Sequence, residues 1–302
     1  MKIISGTTQF HIEKKSAVAI GKFDGIHLGH KKLLSYILDQ KQDGLISVVF
    51  TFDPSPEEFF TGRMVYQLFT RDEKRRAFEK MGIDILIEFP LTDTTARTEP
   101  EDFVRKILVD QINADYIAAG TDVSFGDKGR GDQHLLRSLS KELSYELMLI
   151  DKVRIDGSEI SSTRVRNEVS DGNMKMASRL LGNSYFVSGV VEHGRYLGHT
   201  IGIPTVNLLP PIDKLLPPYG VYSSKVHIGE KIYDGMTNIG RKPTISENEQ
   251  VGVETYIYDF DDNLYGEFIE VELLRFVRPE MKFDSISSLK AQIENDLADA
   301  RK

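Results

Sequence analysis

Two histidines three residues apart, His27 and His30, close the run AVAIGKFDGIHLGH at 17–30. Their type and spacing suit phosphate chemistry. An apolar stretch stops at Gly21, the loop Lys22-Phe23-Asp24-Gly25 turns the chain, and a helical pattern begins at Leu28. The start of a helix offers unsatisfied backbone N–H groups to an anion, and side chains at i and i+3 stand on one side of its first turn. Gly25 and Gly29 carry no side chain to hold a polyphosphate off the backbone. H-x-x-H is also a metal-ligand spacing, but no cysteine and no H-E-x-x-H run accompanies it, so zinc is not expected.

Three further places carry candidate chemistry. In ISSTRVR at 160–166, Ser161, Ser162 and Thr163 either cap a following helix or join Arg164 and Arg166 as donors to a second phosphate. In HGRYLGHTIGIPTVN at 193–207, Gly194, Gly198 and Gly202 recur every four residues outside any helical pattern. They read as an ordinary turn region or as a loop whose backbone approaches phosphates. Thr205 and Asn207, two apart on a strand, face the same way, and their hydroxyl and amide oxygens can hold a hard cation. Glu254, in VETYI, is either a solvent-facing strand residue or a general base for a hydroxyl nucleophile.

These residues need elements to position them. The first half alternates apolar strand-like runs at 17–20, 46–52, 83–89, 116–119 and 146–150 with helical patterns at 28–39, 71–81, 100–112 and 133–142. Such alternation predicts a parallel α/β sheet with helices on both faces and its ligand crevice at the carboxyl ends of the strands. After Gly182 the texture changes to closely spaced strands at 185–192, 221–228, 232–239, 253–260 and 269–276. Turn residues such as Pro210-Pro211 and Asp261-Asp262-Asn263 punctuate them, which predicts a small antiparallel barrel. A last helix at 285–301 carries Ile286, Leu289, Ile293 and Leu297 on one face, for packing against that barrel. The boundary falls near Asn183, giving domains 1–183 and 184–302.

Composition narrows the partners. With 302 residues the chain has room for two cores. A net charge of −8 argues against nucleic acid as the main partner. The absence of cysteine excludes disulfides and thiolate metal sites and agrees with a cytoplasmic setting. Nothing approaches a twenty-residue apolar span, and MKIISGTTQFHIEKK lacks the apolar core of a signal peptide, so no membrane segment is expected. Oligomeric state is not legible.

H-x-G-H after the first strand with a later S-S-T-x-x-R resembles the nucleotidylyltransferase superfamily. More narrowly, GKFDGIHLGH, TFDPSP at 51–56, LFTRDEKRRAFEKMGID at 68–84 and AAGTDVSFGDKGRGD at 118–132 resemble the adenylyltransferase module of prokaryotic bifunctional FAD synthetases. GIPTVN, PPYGVYSSKV, MTNIGRKPTI, VETYIYDFDDNLYG and RFVRPEMKFDSISSL follow in the order of that family's riboflavin kinase module.

The resemblance implies a nucleotidylyltransferase-type Rossmann-like domain followed by a riboflavin kinase-like β-barrel with a C-terminal helix. It implies ATP-dependent phosphorylation of riboflavin to FMN, then adenylylation of FMN to FAD with release of pyrophosphate, both with Mg²⁺. On the adenylyltransferase side it implies that Gly21, Phe23, Asp24, Gly25, His27, His30, Ser162, Thr163 and Arg166 meet ATP, and that Asp122 and Phe125 lie toward the flavin. On the kinase side it implies that Gly194, Gly198, Gly202, Thr205 and Asn207 bind nucleotide, Thr205 and Asn207 also the metal. Glu254 is there the base, and Arg278 belongs to the segment over the flavin. Three residues depart from the family pattern: Val123 for Phe, Ser55 for His, and His199 for Arg or Lys. They keep two alternatives open, a kinase-dominant paralogue and a flavin-sensing regulator.

Overall fold

The run Ser16–Ile20 is buried along its whole length, as a strand covered on both faces must be. It forms β2 of a six-stranded sheet in the computed structural model, which describes residues 1–192, 204–242, 250–281 and 284–300. The other strands are β1 (Lys2–Ser5), β3 (Ile46–Asp53), β4 (Ile85–Pro90), β5 (Ala114–Gly120) and β6 (Glu146–Ile150). They pair in the order β1-β4-β3-β2-β5-β6, all parallel. From β2 the chain passes first to the β3 side and later to the β5 side. The carboxyl end of β2 is therefore the switch point where open α/β sheets place ligands.

Helices α1 (Leu28–Asp39), α2 (Pro56–Thr61), α3 (Arg71–Lys80) and α5 (Gln133–Ser140) connect these strands. Between α3 and α5, α4 opens as Pro100–Asp102 and widens into a π-helix over Phe103–Gln111. Thr70 starts α3 with a reciprocal capping box to Glu73, which satisfies two orphan donors and sets where the helix begins. Phe50, Phe89 and Phe103 form the aromatic centre of the core with Val18, Val48 and Ile117. Burial of each such ring contributes about 1.5–3 kcal/mol.

The amphipathic runs of the second half build a six-stranded antiparallel sheet. Its strands are β9 (Tyr185–Val190), β10 (Val206–Leu208), β11 (Gly220–Ile228), β12 (Lys231–Lys242), β13 (Gln250–Ile257) and β14 (Phe268–Pro279), in the order β10-β13-β12-β11-β14-β9. Glu192, just past β9, bridges to Asn207 of β10, so the two edges of the sheet meet. The inner face buries a hydroxyl chain, in which Thr237 Oγ1 donates to Ser224 Oγ at 2.8 Å and lies 2.9 Å from Thr255 Oγ1. Each hydroxyl has a partner, which removes most of the cost of burying it.

The C-terminal helix, Ile286–Ala300, covers part of the outer face. Its Ile293 and Leu297 pack with Val221, Met236, Tyr256 and Tyr258.

The chain falls into two compact units, Met1–Ser162 and Thr163–Lys302. A two-stranded ribbon, β7 (Arg154–Ile155) and β8 (Ser158–Glu159), closes the first. Helices α6 (Ser162–Ser170) and α7 (Met174–Leu181) precede the barrel strands, and the C-terminal helix is α8. Sequence patterning did not mark β1, α2 or α7; the first two are short, whereas α7 buries Met174, Ala177, Leu180 and Leu181 at helical spacing.

Candidate functional site

The first unit holds a cleft of about 370 Å³ at the carboxyl end of β2, within the range of small-molecule sites. Gly21, His27, His30, Asp122, Val123, Lys152, Ser161 and Ser162 line it. His27 is the N-cap of α1, and its Nδ1 accepts the His30 backbone N–H at 3.3 Å. That bond leaves the proton of a neutral ring on Nε2. The His30 ring stacks on the His27 ring with centroids 3.8 Å apart.

Both imidazoles stay neutral at pH 7. Burial pushes His27 down to about 4, against weaker upward pulls from its own backbone bond, Asp24 and Asp122. Burial and then the neighbouring His27 hold His30 well below the usual histidine value. The pair therefore presents N–H donors beside a helix N-terminus, with no cation of its own. His30 Nδ1 is buried and has no partner among the described residues.

The two glycines next to the histidines are required by close approach. A Cβ on Gly21 would lie 3.0 Å from the Phe23 ring, and one on Gly29 would lie 3.1 Å from the His27 ring. Gly29 thus makes room for an imidazole. Phe23 is 0% exposed and lies under the His30 ring, 5.1 Å centroid to centroid, so its part is to support the pair from below. Asp24 is also buried. Its Oδ1 accepts the Leu68 N–H at 2.9 Å, and its carbonyl accepts the Ser162 hydroxyl at 2.8 Å. It brackets the histidine loop to two other segments. Gly25 takes φ 79°, a left-handed turn that glycine allows.

Ser162 is therefore brought to the histidine loop, and Ser161 lines the same cleft. Thr163 and Arg166 follow on α6, in the second unit. Asp122 lines the cleft, with its carboxylate 3.3 Å from Lys152 Nζ. Phe125, expected toward the flavin, is 3% exposed and packs at a tilt against Phe103 in the core. With Asp122, Val123 and Ser124 of that turn line the cleft. Ser55, standing in place of the family's histidine, caps α2 by accepting the Glu58 N–H at 3.2 Å.

Lys152 carried no signal in the sequence. Its ammonium lies between Asp122 and Glu159, and the hydrogen bond to Asp122 raises its pKa. With Lys22, which lines the same cleft, it brings the positive charge that the histidine pair lacks.

LFTRDEKRRAFEKMGID builds an ion cluster beside this region. Glu88 of β4, nearly buried, accepts from Arg71 and Arg75 at 2.6–3.0 Å. Burial works to raise the Glu88 pKa, but the hydrogen bonds from Arg75 and Arg71 outweigh it and hold the group below its ordinary value. Arg71 also reaches Asp53, at the end of β3, at 2.9 Å.

In the second unit the site is set by register. Asn207 of β10 stands opposite Glu254 of β13, and Glu254 stands opposite Asn238 of β12. Directly opposed residues share a face of the sheet, so these three side chains line up on the outer face. Thr205 is half-buried at the start of the same segment. Arg278 of β14 continues the row opposite Val221. Its Nε and Nη2 donate to Asp296 of α8 at 2.5–3.0 Å, and its Nη1 donates to the Pro279 carbonyl at 2.9 Å. That guanidinium anchors α8 to the sheet. Gly194, Gly198, Gly202 and His199 lie outside the described residues.

The family model described as FAD synthetase matches residues 9–164, and that described as riboflavin kinase matches 181–302. Curated bifunctional riboflavin kinase/FMN adenylyltransferases are similar over nearly the whole length. That of Listeria monocytogenes is 34% identical over 98% of this chain and 94% of its own. That of Escherichia coli K12 is 34% identical over 100% and 97%. A solved structure titled as a macrolide-efflux protein from Streptococcus pneumoniae superposes with a TM-score of 0.85 at 30% identity. It covers 99% of this chain and 98% of its own. With both domain models in sequence order and relatives of this identity over full length, the chain belongs to the bifunctional riboflavin kinase/FMN adenylyltransferase family.

Proposed function

We infer that this chain phosphorylates riboflavin to FMN in its barrel and adenylylates FMN to FAD in its α/β domain, consuming ATP in both steps. One observation supports the reading: each unit has its own cluster of the candidate residues, the capped histidine pair in one and the Asn207–Glu254 rung in the other. The functional boundary is placed at 183/184, so that α6, with Thr163 and Arg166, serves the adenylyltransferase.

In the kinase step Glu254 accepts the proton of the ribityl 5′-hydroxyl as its oxygen attacks the γ-phosphorus of ATP, and ADP leaves. Thr205 and Asn207 offer two neutral oxygen donors spaced two residues apart. That is a fitting set for Mg²⁺, which takes few protein ligands and keeps water and phosphate oxygens. When bound, the ion supplies charge neutralisation on the phosphates. Arg278, through Asp296, holds α8 over the same face as Glu254.

In the adenylyl step the nucleophile is the FMN phosphate, already an anion, so no base is required. Catalysis reduces to aligning that oxygen with the α-phosphorus of ATP and stabilising the leaving pyrophosphate. The α1 N-terminus and the neutral N–H donors of His27 and His30 face that charge, with Ser162, Thr163 and Arg166 as the second phosphate contact. Lys152, paired with Asp122, supplies positive charge on the flavin side. A cytoplasmic setting, where ATP is plentiful, belongs to this reading.

The test is to incubate the chain with riboflavin, excess ATP and Mg²⁺ and resolve the flavins by chromatography. FAD is expected. Accumulation of FMN alone would assign a kinase-dominant paralogue, and unchanged riboflavin would overturn both activities in favour of a flavin sensor.

A further inference from the structure

Asn238, which lies in MTNIGRKPTI but is singled out by neither type nor spacing, stands on the same sheet row as Glu254. Across β10, β13, β12 and β11 the residues on one row are Asn207, Glu254, Asn238 and Val221. Neighbouring strands are about 4.8 Å apart, so the Glu254 carboxylate has an amide on each side. Asn238 and Glu254 are both half-buried. Among the described residues the side-chain amide of Asn238 has no hydrogen-bond partner, whereas Asn207 and Glu254 are each engaged in an interaction. It holds two donors and an acceptor ready.

The row has a direction. Asn207 offers the oxygen suited to the nucleotide's cation, and Glu254 sits where the proton leaves. In-line phosphoryl transfer puts the donor phosphate and the body of the acceptor on opposite sides of the attacking oxygen. The acceptor therefore extends from Glu254 over Asn238. Beyond Asn238 the same face turns apolar, at Val221, Met236 and Tyr256 beneath α8. That patch is already covered by Ile293 and Leu297 of α8, so what the row offers the acceptor next to Glu254 is the Asn238 amide, which suits a second hydroxyl on a polyol chain.

We propose that Asn238 hydrogen-bonds a secondary hydroxyl of the acceptor's polyol chain and thereby selects hydroxylated acceptors for the kinase. The proposal rests on the kinase reading above. A half-buried amide left without its partner is costly, so an acceptor lacking that hydroxyl is rejected by the same group that welcomes riboflavin.

The experiment is a cycle between protein and substrate, using wild type, Asn238→Ala and Asn238→Ser with riboflavin, 3′-deoxyriboflavin and 4′-deoxyriboflavin at saturating ATP and Mg²⁺. With riboflavin, Asn238→Ala should lower kcat/KM roughly 10- to 100-fold, with the KM for ATP unchanged and Asn238→Ser retaining part of the activity. With one deoxy analogue the wild type should be correspondingly poor, and the substitution should cost no more than about twofold, because the interaction is already gone.

Equal losses on riboflavin and both analogues, or no loss on riboflavin, would overturn the proposal. Should Asn238→Ala not fold, the serine variant and the wild type's ranking of the three flavins decide the matter. Loss of the kinase reading looks different: the wild type would then make no FMN from any flavin. A wild type that makes FMN, a Glu254→Ala variant that does not, and an Asn238→Ala variant at full rate would remove this inference alone.

Discussion

In the proposed mechanism the two halves of this chain handle phosphate by opposite structural means. In the α/β unit the chemistry hangs on a loop. His27 and His30 are placed by a helix cap, a glycine that admits one ring and a buried phenylalanine that supports the other. In the barrel it hangs on register, with Asn207 and Glu254 facing each other across two hydrogen-bonded strands. The difference follows from the reactions. A nucleophile that is already an anion needs backbone donors and neutral N–H groups, which a helix N-terminus provides. A neutral hydroxyl needs a base held within hydrogen-bond reach, and a sheet rung fixes a carboxylate more rigidly than a loop does.

The sharpest way to break that contrast is to remove the base. Glu254→Ala should lower FMN formation from riboflavin by roughly 10²–10⁴-fold, while conversion of supplied FMN to FAD stays within about twofold. Chromatography of the two reactions, run separately, decides it, and a matching fall in both would mean the sites are not independent. His30→Ala should do the converse, cutting FAD formation roughly 10²–10³-fold and leaving the kinase rate intact. A normal FAD rate in this variant would remove the histidine pair from the mechanism.

The barrel's rigidity has its own test. Asp296 is 3% exposed and holds the Arg278 guanidinium. Asp296→Ala leaves that cation half stranded and should cost the second unit about 3 kcal/mol, read as a lower urea midpoint. Arg278→Met combined with Asp296→Leu should recover much of it. If Asp296→Ala unfolds at the wild-type midpoint, α8 is held by its apolar face alone.

The smallest effect is a pH dependence confined to the α/β unit. Burial depresses His27 to about 4 and also lowers His30, whereas an unfolded histidine titrates near 6.5. Between these values the unfolded chain binds protons that the folded loop refuses, so stability falls as pH drops through that window and is unaffected above it. The loss should reach about 1 kcal/mol for each histidine near about pH 5.5. Urea unfolding of the α/β unit from neutral to acid pH measures it. A His27→Gln variant with the wild-type slope would assign the dependence elsewhere.

Much of the architecture was legible before any coordinates. β2 and β3 are continuous apolar runs because both faces of their sheet are covered. The helical pattern from Arg71 announced α3, and the change to closely spaced strands announced the barrel. The residues proposed for the two sites, His27, His30, Ser162, Asn207 and Glu254, carried their signal in local order and type.

Their surroundings did not. Phe125 looks like a ligand contact in the turn that follows β5, yet it fills the core, because what it meets is Phe103 on a helix that the turn's own residues do not reveal. Lys152 joins the cleft from beyond β6. Arg278 reads as a free cation near substrate until Asp296, eighteen residues on, takes its guanidinium.

What the sequence by itself determined is which chemistry the chain can do, since types, spacing, caps and turns act over a few neighbouring residues. The tertiary structure decided who stands beside whom. It set the order β1-β4-β3-β2-β5-β6, the neutrality of two stacked histidines, and the row that puts Asn238 next to Glu254. Strand register, burial and desolvation arise from contacts between distant parts of the chain, and no local pattern encodes them.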